Sequence, residues 1–533
     1  MSWLVSSEKL LGIQSLNMEK IIYNKAGDKI ALHTSIYSGA GSVTKQTLNN
    51  EPYYILQHNL KNAQDLRKQG IPVRSPIHTQ YNWPGRYTPL QHQKTTSAFF
   101  TLHRRGYCFN GLGSGKTLSA LWAADYLLSI GEVKRVLVLS PLSTLKSVWW
   151  DSIFTHFPHL PPYILHGLTP NKLTQKRREI ERAKILIVNH EYVKSTNSKH
   201  FLPTAALGVD LLIVDEGSMF RDATTDKYRG LRRFTDKCPH VWWMTATPTP
   251  NRPTDAWAQA TAMDTCNMRF TEFRDLTMMK VGECVWVPRK NAVVYVRKIL
   301  SPYIRFATED CIDLPGITYE TRSVEMTKEQ AAAYKKLKEK AVLLLESGEV
   351  TAVNEAVKAT KLLQIACSVV YDDEGKPIEI KDGKKIHELR SVVEEADGSP
   401  VIVFAPFKSV VAHIAAKLKD FRPVVITGDT PIPERNDAIQ AFQEGKTRLL
   451  VAHPRTMSHG LTLTASSVLV WYAPVYSNDT YEQANGRIYR QGQSKHCTII
   501  HLSSSPIEEQ MYKLLKERGL MQGAVLRLLT ERK

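Results

Sequence analysis

NGLGSGKTLSALWAADYLL, residues 110–128, begins as a glycine-rich turn and continues as a helical pattern. Gly111, Gly113 and Gly115 let the backbone approach a ligand closely, because they carry no side chain. The N–H groups of such a turn, together with the start of the helix, favour bound negative charge. This stretch therefore predicts a phosphate-binding loop on an α/β fold.

The end of the loop carries the residues that would contact a nucleotide. Lys116 would reach the β- and γ-phosphates of ATP, beside Ser114, and the Thr117 hydroxyl would bind Mg²⁺. The strict G-x-x-x-x-G-K-[ST] pattern has glycine where this chain has Asn110, but a known variant with G-x-G-K-T at its core matches residues 113–117. The alternative is a glycine-rich loop without nucleotide, and the Lys-Thr pair ahead of a helix argues against it.

A second group of polar residues follows a predicted strand. Leu211–Val214 is an apolar run that leads directly into Asp215 and Glu216. In an open α/β sheet, ligands bind beyond the carboxyl ends of the strands, so both carboxylates are expected at the ligand site. We expect Asp215 to hold Mg²⁺ and Glu216 to polarise the attacking water. Solvated acids at a strand end are the alternative.

Two arginines occur near the end of the chain, in YEQANGRIYRQGQ. Arg487 and Arg490 are three positions apart, which predicts that they share one face of a helix. They could reach the γ-phosphate from a second domain and stabilise the charge of the transition state. Taken alone, the pair favours a solvated basic helix face over this role.

The apolar runs predict two parallel sheets. Short β-branched runs alternate with helical patterns between residues 85 and 255, and a second set begins at Val401, Val424, Leu449 and Val468. Such runs are typical of buried parallel strands. On this basis, residues 1–80 are predicted to form an N-terminal accessory domain that is α+β or β-rich, and residues 85–255 a first α/β domain. Residues 256–320 form a connection with a short helical insertion. Residues 321–505 form a second α/β domain, and residues 506–533 form C-terminal helices.

Composition limits the classes of function. The formal net charge is +18, from 70 Lys and Arg against 52 Asp and Glu, which fits a polyanionic partner such as DNA. The seven cysteines are odd in number and form no C-x-x-C pair, which argues against disulfides and a zinc ribbon. Because no apolar run has membrane-spanning length and no signal peptide is seen, a cytoplasmic location without membrane partners is expected.

Further motifs, in order along the chain, resemble those of superfamily 2 helicases and translocases, specifically the Swi/Snf-like family. The resemblance covers about residues 86–505. It rests on these segments, in addition to those quoted above: RYTPLQHQK, VLVLSPLSTLKSVWWDSI, ILIVNHEYV, VDEGSMFRD, MTATPTPNRPTDAW, TKEQAAAY, VIVFAPFKSVVAHIAAKL, ITGDTPIPERNDAIQAFQ and SHGLTLTASSVLVWYAP. It implies two RecA-like domains with the ATP site in the cleft between them.

The resemblance also implies roles for individual residues. Tyr87 and Gln93 would recognise adenine, and Gln483 belongs to the last ATP-site motif. Thr245 and Thr247 would couple the nucleotide state to domain movement. The residues that would contact DNA are Ser143, Thr144, Lys146, Ser458 and His459. Two positions depart from the family, because Ser218 and Tyr489 stand where histidine is usual.

The implied activity is that of an ATP-dependent translocase on duplex DNA. The insertions between motifs are short, which resembles phage or bacterial members and annealing helicases, so branch migration or fork reversal in replication, recombination or repair is expected. If a phage encodes the chain, the location would be the host cytoplasm. A monomer is expected. The alternatives are an RNA or single-strand helicase, a non-hydrolysing DNA scaffold and a motor subunit of a restriction complex.

Overall fold

The computed structural model describes residues 3–5, 20–39, 43–167, 170–194, 208–282, 286–311, 313–346, 352–371, 374, 376–380, 383–457 and 461–530. The chain forms two compact units. Unit 1 contains residues 1–307 with 523–533, and unit 2 contains residues 308–522. Within the described ranges, no helix has the length and apolar character needed to cross a membrane.

The N-terminal part of unit 1 is an antiparallel sheet of five strands in the order β1-β2-β3-β5-β4. The strands are β1 Trp3–Val5, β2 Ile21–Asn24, β3 Lys29–His33, β4 Thr44–Leu48 and β5 Glu51–Gln57. The side chains of Ile30 and Leu32, two positions apart on β3, lie in one hydrophobic core with Leu66 of the helix Leu60–Lys68. The Asn59 side chain caps that helix by accepting a hydrogen bond from the Asn62 N–H.

The main sheet of unit 1 is parallel throughout and has the strand order β14-β6-β11-β10-β7-β9-β8. Its strands are β6 Arg105–Cys108, β7 Val136–Ser140, β8 Pro162–Ile164, β9 Ile185–Asn189, β10 Leu211–Val214, β11 His240–Met244 and β14 Tyr303–Ile304. Every residue of β7, β10 and β11 is buried. Burial on both faces explains why these strands are continuous apolar runs.

The helical segments of unit 1 up to residue 307 surround these sheets. The α-helices are Leu60–Lys68, Ile77–Gln80, Gln91–Leu102, Lys116–Ser129, Asp151–His156, Pro170–Gln175, Arg177–Arg182, Asp226–Thr235, Asp255–Ala262, Phe270–Thr277 and Ala292–Ile299. The shorter 3₁₀ or π segments are Leu142–Thr144, Leu145–Trp150, His190–Lys194 and Gly217–Phe220. A small ribbon pairs β12 Met278–Lys280 with β13 Trp286–Pro288.

Unit 2 is built on a second parallel sheet, in the order β15-β22-β21-β18-β20-β19. Its strands are β15 Ile317–Ser323, β18 Val401–Phe404, β19 Val424–Ile426, β20 Leu449–Ala452, β21 Val468–Trp471 and β22 Cys497–Ser503. A ribbon pairs β16 Val369–Tyr371 with β17 Pro377–Glu379. The predicted α/β class with two RecA-like parallel sheets and a small N-terminal domain is therefore confirmed.

The helical segments after residue 307 are Lys328–Glu346, Ala352–Ala366, Lys384–Glu395, Lys408–Lys417, Lys419–Phe421, Ile432–Gln443, Pro454–Met457, Asn478–Asn485 and Pro506–Thr530. The first of these contains the residues KEQAAAY of the motif TKEQAAAY. The C-terminal region forms one helix, Pro506–Thr530. Its first turn enters the core of unit 2, where Glu508 forms a fully buried ion pair with Lys385. The boundaries of the five predicted domains stay predictions.

Candidate active site

The phosphate-binding loop connects β6 to the helix Lys116–Ser129. Gly113 and Gly115 have φ values of +75° and +77°, in the left-handed region that favours glycine. A Cβ atom on Gly115 would lie 2.1 Å from Nε2 of Gln93. The backbone conformation therefore favours glycine at position 115, and a side chain there would also displace the Gln93 amide.

Hydrogen bonds within the loop hold its lysine. The Lys116 ammonium group donates to the carbonyl oxygens of Asn110 and Gly111, each at 3.0 Å. The Ser114 hydroxyl donates to the same Gly111 carbonyl at 2.9 Å. These carbonyls are the partners that phosphate oxygens would replace, so the loop already positions Lys116 for an anion. Thr117, next in sequence, is half-buried in the first helical turn.

The departure from the strict loop pattern has a structural role. Asn110 is fully buried. Its amide donates to Thr96 Oγ1 at 2.9 Å, and its side-chain oxygen accepts the Phe306 N–H at 3.0 Å. His92 also braces the loop, because its Nε2 atom lies 2.9 Å from the Ser114 carbonyl. Sequence analysis did not identify His92, which lies 22 positions from Ser114.

The two predicted adenine-site residues have different surroundings. Gln93 Oε1 accepts the Leu90 N–H at 3.0 Å, and Gln93 Nε2 donates to the Ser114 carbonyl at 3.4 Å. Tyr87 is 65% exposed, and its ring centroid lies 5.1 Å from that of His156. Burial and the nearby Arg86 lower the pKa of His156 below its usual value. His156 is thus a neutral ring beside the predicted adenine platform, and no sequence motif pointed to it.

Asp215 follows β10 and is held by two donors, one from the last residue of β7 and one from the segment Leu145–Trp150. The Ser140 hydroxyl donates to Asp215 Oδ2 at 2.8 Å, and the Trp149 indole N–H donates to the same atom at 2.9 Å. Burial raises the pKa of Asp215, while these bonds and the Lys116 charge act in the opposite direction. The carboxylate is therefore positioned by three separate parts of unit 1.

The residues after Asp215 form a tight turn. Glu216 has a φ of +49°, and its N–H donates to Asp215 Oδ1 at 3.1 Å. A Cβ atom on Gly217 would lie 2.0 Å from the indole nitrogen of Trp243, so only glycine fits there. Ser218 is fully buried, and its hydroxyl has no hydrogen-bond partner among the described residues.

The predicted coupling residues lie after the neighbouring strand, β11. Thr245 and Thr247 are both buried. The Thr247 N–H donates to Thr245 Oγ1 at 3.1 Å, and the two hydroxyl oxygens lie 3.4 Å apart. Because β10 and β11 are adjacent and parallel, this pair lies at the same sheet edge as Asp215.

The predicted DNA-contacting segment after β7 divides into buried and exposed residues. Thr144 is buried, and its hydroxyl lies 2.6 Å from Ser140 Oγ. Lys146 is exposed and Ser143 is half-buried. This segment is therefore connected to Asp215 through Ser140, Thr144 and Trp149. Lys146 remains accessible to a partner. Ser458 and His459 lie outside the described residues.

The predicted arginines belong to unit 2. The prediction that they share a helix face is wrong, because the helix ends at Asn485. Arg487 Nε donates to the Gln483 carbonyl at 2.9 Å, close to the end of the helix. Arg487 and Arg490 instead meet at one acceptor, the Leu461 carbonyl, at 2.9 and 2.6 Å.

The surroundings of these arginines are largely buried. Arg487 is 5% exposed, and burial lowers the pKa of Arg490. Gln483 is also buried, and its amide donates to Asp479 Oδ1 at 3.2 Å. Tyr489, at the second position that departs from the family, packs against the core of unit 2.

Two parallel sheets, a predicted phosphate-binding loop after β6 and a carboxylate after β10, two strands away in the same sheet, are typical of an ATPase of the helicase class. Family models agree with this class. A SNF2-related domain matches residues 18–369, and a helicase conserved C-terminal domain matches residues 384–492. The chain belongs to the SNF2-related family and is an ATP-dependent enzyme of the helicase type.

Several known proteins are similar to this chain. Protein p41 of Acyrthosiphon pisum secondary endosymbiont phage 1 is 26% identical over 84% of this chain and 98% of its own length. The Drosophila melanogaster SWI/SNF-related matrix-associated actin-dependent regulator of chromatin subfamily A-like protein 1 is 22% identical over 76% of this chain and 52% of its own length. An uncharacterised ATP-dependent helicase of Mycoplasma genitalium is 24% identical over 78% and 39%. The chain thus spans about half or less of the latter two proteins.

Among solved structures, the Sulfolobus solfataricus SWI2/SNF2 ATPase core in complex with dsDNA is similar. It is 20% identical, and the match covers 84% of this chain and 95% of that one with a TM-score of 0.39.

Proposed function

We propose that this chain is an ATP-driven translocase on duplex DNA that remodels branched DNA. The observation that carries the proposal is the pair of hydrogen bonds from Ser140 and Trp149 to Asp215. The segment that contains Lys146, a candidate DNA contact, is thereby bonded to the candidate catalytic carboxylate. A movement of this segment on DNA binding would thereby be transmitted to the ATP site.

The residues of unit 1 fit ATP with Mg²⁺. The Thr117 hydroxyl and the Asp215 carboxylate are oxygen donors, the ligand type that Mg²⁺ prefers alongside phosphate oxygens and water. When bound, Mg²⁺ would neutralise charge on the phosphates. Lys116 would bind the β- and γ-phosphates, and Glu216 would orient the attacking water. Tyr87 and Gln93 would bind adenine.

The residues of unit 2 have roles in turnover. We assign Arg487 and Arg490 the stabilisation of charge that develops on the transferred phosphoryl group. Gln483 would position Arg487, whose Nε atom donates to the Gln483 carbonyl. Thr245 and Thr247 in unit 1 would couple loss of the γ-phosphate to domain movement.

Binding would depend mainly on phosphate contacts. A formal net charge of +18 favours a polyanion, and phosphate contacts carry little sequence information. We therefore infer weak sequence preference and strong salt dependence. Ser143 and Lys146 are the described candidates for these contacts, and Ser458 and His459 complete the proposed set.

ATP turnover with different nucleic acids tests the proposal. We expect duplex DNA to stimulate turnover more than single-stranded DNA or RNA. Lys116→Ala should abolish turnover by weakening ATP binding, whereas Glu216→Gln should retain ATP binding and lose turnover. Stimulation by RNA alone would favour an RNA helicase, and unchanged turnover in Glu216→Gln would remove the assigned chemistry.

Activity on branched substrates is a separate question. Forks, four-way junctions and linear duplexes of equal length should be compared for ATP turnover and for strand exchange. We expect branch migration of junctions that requires ATP and is lost in Arg490→Ala. Turnover on linear duplex without any change in the junctions would restrict the function to translocation.

A further inference from the structure

A cavity of about 300 Å³ lies between the N-terminal region and the edge of the main sheet within unit 1. Its polar side contains the side chains of Arg67, Arg74, His78 and His103. None of the residues of the phosphate-binding loop lines it. The cavity is therefore separate from the site assigned to ATP.

The polar side of this cavity is positively charged. No carboxylate side chain occurs among the described residues that line it. Burial, followed by the charge of nearby basic residues including Arg67, lowers the pKa values of His78 and His103 to about 4. Both histidines are thus neutral at physiological pH, and the two arginines supply the charge.

Both arginines are anchored by the surrounding structure. Arg67 Nε donates to the Val73 carbonyl at 2.7 Å. The guanidinium carbon of Arg74 lies 5.7 Å from the centre of the Tyr23 ring, within the range of a cation–π contact. A guanidinium group held in this way loses little rotamer freedom when it binds a phosphate through its planar set of donors.

Apolar and aromatic residues also line the cavity. Phe99, Pro302 and Tyr303 line it, and the Phe99 ring centroid lies 4.5 Å from that of His103. Phe99 and His103 are only partly buried, so a ligand can reach them. Flat rings beside a basic group match a nucleobase that is linked to a phosphate.

A larger cavity of about 610 Å³ adjoins the first and shares Arg67 and His103 with it. Lys61, Lys68 and Arg104 add positive charge there. Asp65 and Glu132 pair with Lys68 and Arg104 and offset their charge, so Lys61 and Arg67 supply the excess of positive charge. A basic surface therefore leads from solvent to the smaller cavity, as a polyanionic strand would require.

We propose that the smaller cavity binds a nucleoside monophosphate unit, with the phosphate on Arg67 and Arg74 and the base against Phe99 and Tyr303. The unit could be a free nucleotide or the 5′-phosphorylated end of a DNA strand, which share this chemistry. A volume of about 300 Å³ lies at the lower end of the range for ligand pockets and suits one nucleotide. The proposal does not depend on translocase activity.

Calorimetric titration of the full chain tests the site. The Lys116→Ala background weakens triphosphate binding at the phosphate loop, and the comparison of Arg74→Gln with Arg104→Gln distinguishes dAMP bound in the cavity from dAMP bound at the ATP site. The probes are inorganic phosphate, deoxyadenosine, dAMP, and one single-stranded oligonucleotide with a 5′-phosphate or a 5′-hydroxyl. We expect dAMP to bind more tightly than either fragment. Preference for the phosphorylated oligonucleotide over dAMP would identify a strand end as the ligand, and the reverse order a free nucleotide.

Arg74→Gln should weaken dAMP binding by about tenfold or more, since it removes a charged hydrogen-bonding group. Arg104→Gln is the matched control, because Arg104 is also basic and lines only the larger cavity. It should leave dAMP affinity within about twofold. Equal loss in both variants, or no dAMP binding at all, would overturn the proposal.

Hydrogen exchange on the Lys116→Ala protein gives a second measurement that does not depend on whether Arg74→Gln folds. Saturating dAMP should slow amide exchange around residues 98–104 and 301–304. Unchanged exchange in both segments would contradict binding in this cavity.

Discussion

The buried bond between Trp149 and Asp215 gives a quantitative prediction for Trp149→Phe. The indole N–H donates to Oδ2 at 2.9 Å, and Trp149 is fully buried. Phenylalanine retains most of the apolar volume and lacks the donor. A hydrogen bond to a charged group contributes about 1.5–3 kcal/mol, compared with about 0.5–1.5 kcal/mol for a neutral pair. The free energy of unfolding should fall by the lost bond plus a packing loss.

The loss should depend on pH in a defined direction. Burial raises the pKa of Asp215 in the folded protein above its usual 3.8. The bond stabilises the charged form most strongly, so its contribution is complete above the folded pKa. It diminishes as pH falls through that pKa and the carboxylate becomes neutral. The difference between wild type and Trp149→Phe should therefore be largest at neutral pH and shrink at acidic pH.

Trp122→Phe is the matched control. Trp122 is also fully buried, and its indole donates to the neutral Pro84 carbonyl at 2.8 Å. The loss of unfolding free energy in Trp122→Phe should be about 1 kcal/mol smaller than in Trp149→Phe, and it should not change as the pH becomes acidic. The free energy of unfolding of both variants is measured in urea with metal ions chelated. Amide exchange in β7 and β10 follows the unfolding of these two strands. Equal costs with the same pH dependence would refute the idea that the carboxylate bond is the source.

Three further substitutions follow from the structure. Gly115→Ala should weaken ATP binding measured by titration, because alanine is strained at a φ of +77° and its Cβ atom would displace the amide of Gln93. Ser218→His, which restores the family's usual residue, should lower the free energy of unfolding by about 1–3 kcal/mol in urea melts, because the position is fully buried. Lys385→Met should destabilise unit 2 by about 3–5 kcal/mol in calorimetry, since it leaves Glu508 buried and uncompensated. Adding Glu508→Gln should recover part of this loss, and no recovery would contradict the ion-pair explanation.

Local sequence patterns predicted those strands and helices whose conformation depends on residues close together in the chain. The run Leu211–Val214 forms β10 with those bounds, and the glycine-rich loop leads into a helix that begins at Lys116. Continuous β-branched runs indicate parallel strands because both faces of such a sheet are covered. The order of the motifs was sufficient to identify the family.

The helix prediction around Arg487 failed because a tertiary contact was not visible in the sequence. Spacing alone extended the helix through both arginines, whereas the chain turns after Asn485. The carbonyl of Leu461, 26 positions earlier in the chain, accepts from Arg487. A side-chain bond of this range depends on how the sheet and its loops pack.

The sequence by itself determined the two parallel sheets, the phosphate loop and the membership of the SNF2-related family, because these depend on residue type and short spacings. Only the tertiary structure brought Trp149 to Asp215 and His156 to Tyr87. It also formed the Arg67 and Arg74 cavity from segments far apart in the chain. Such contacts are set by the packing of whole elements, and local patterns do not encode which distant side chains meet.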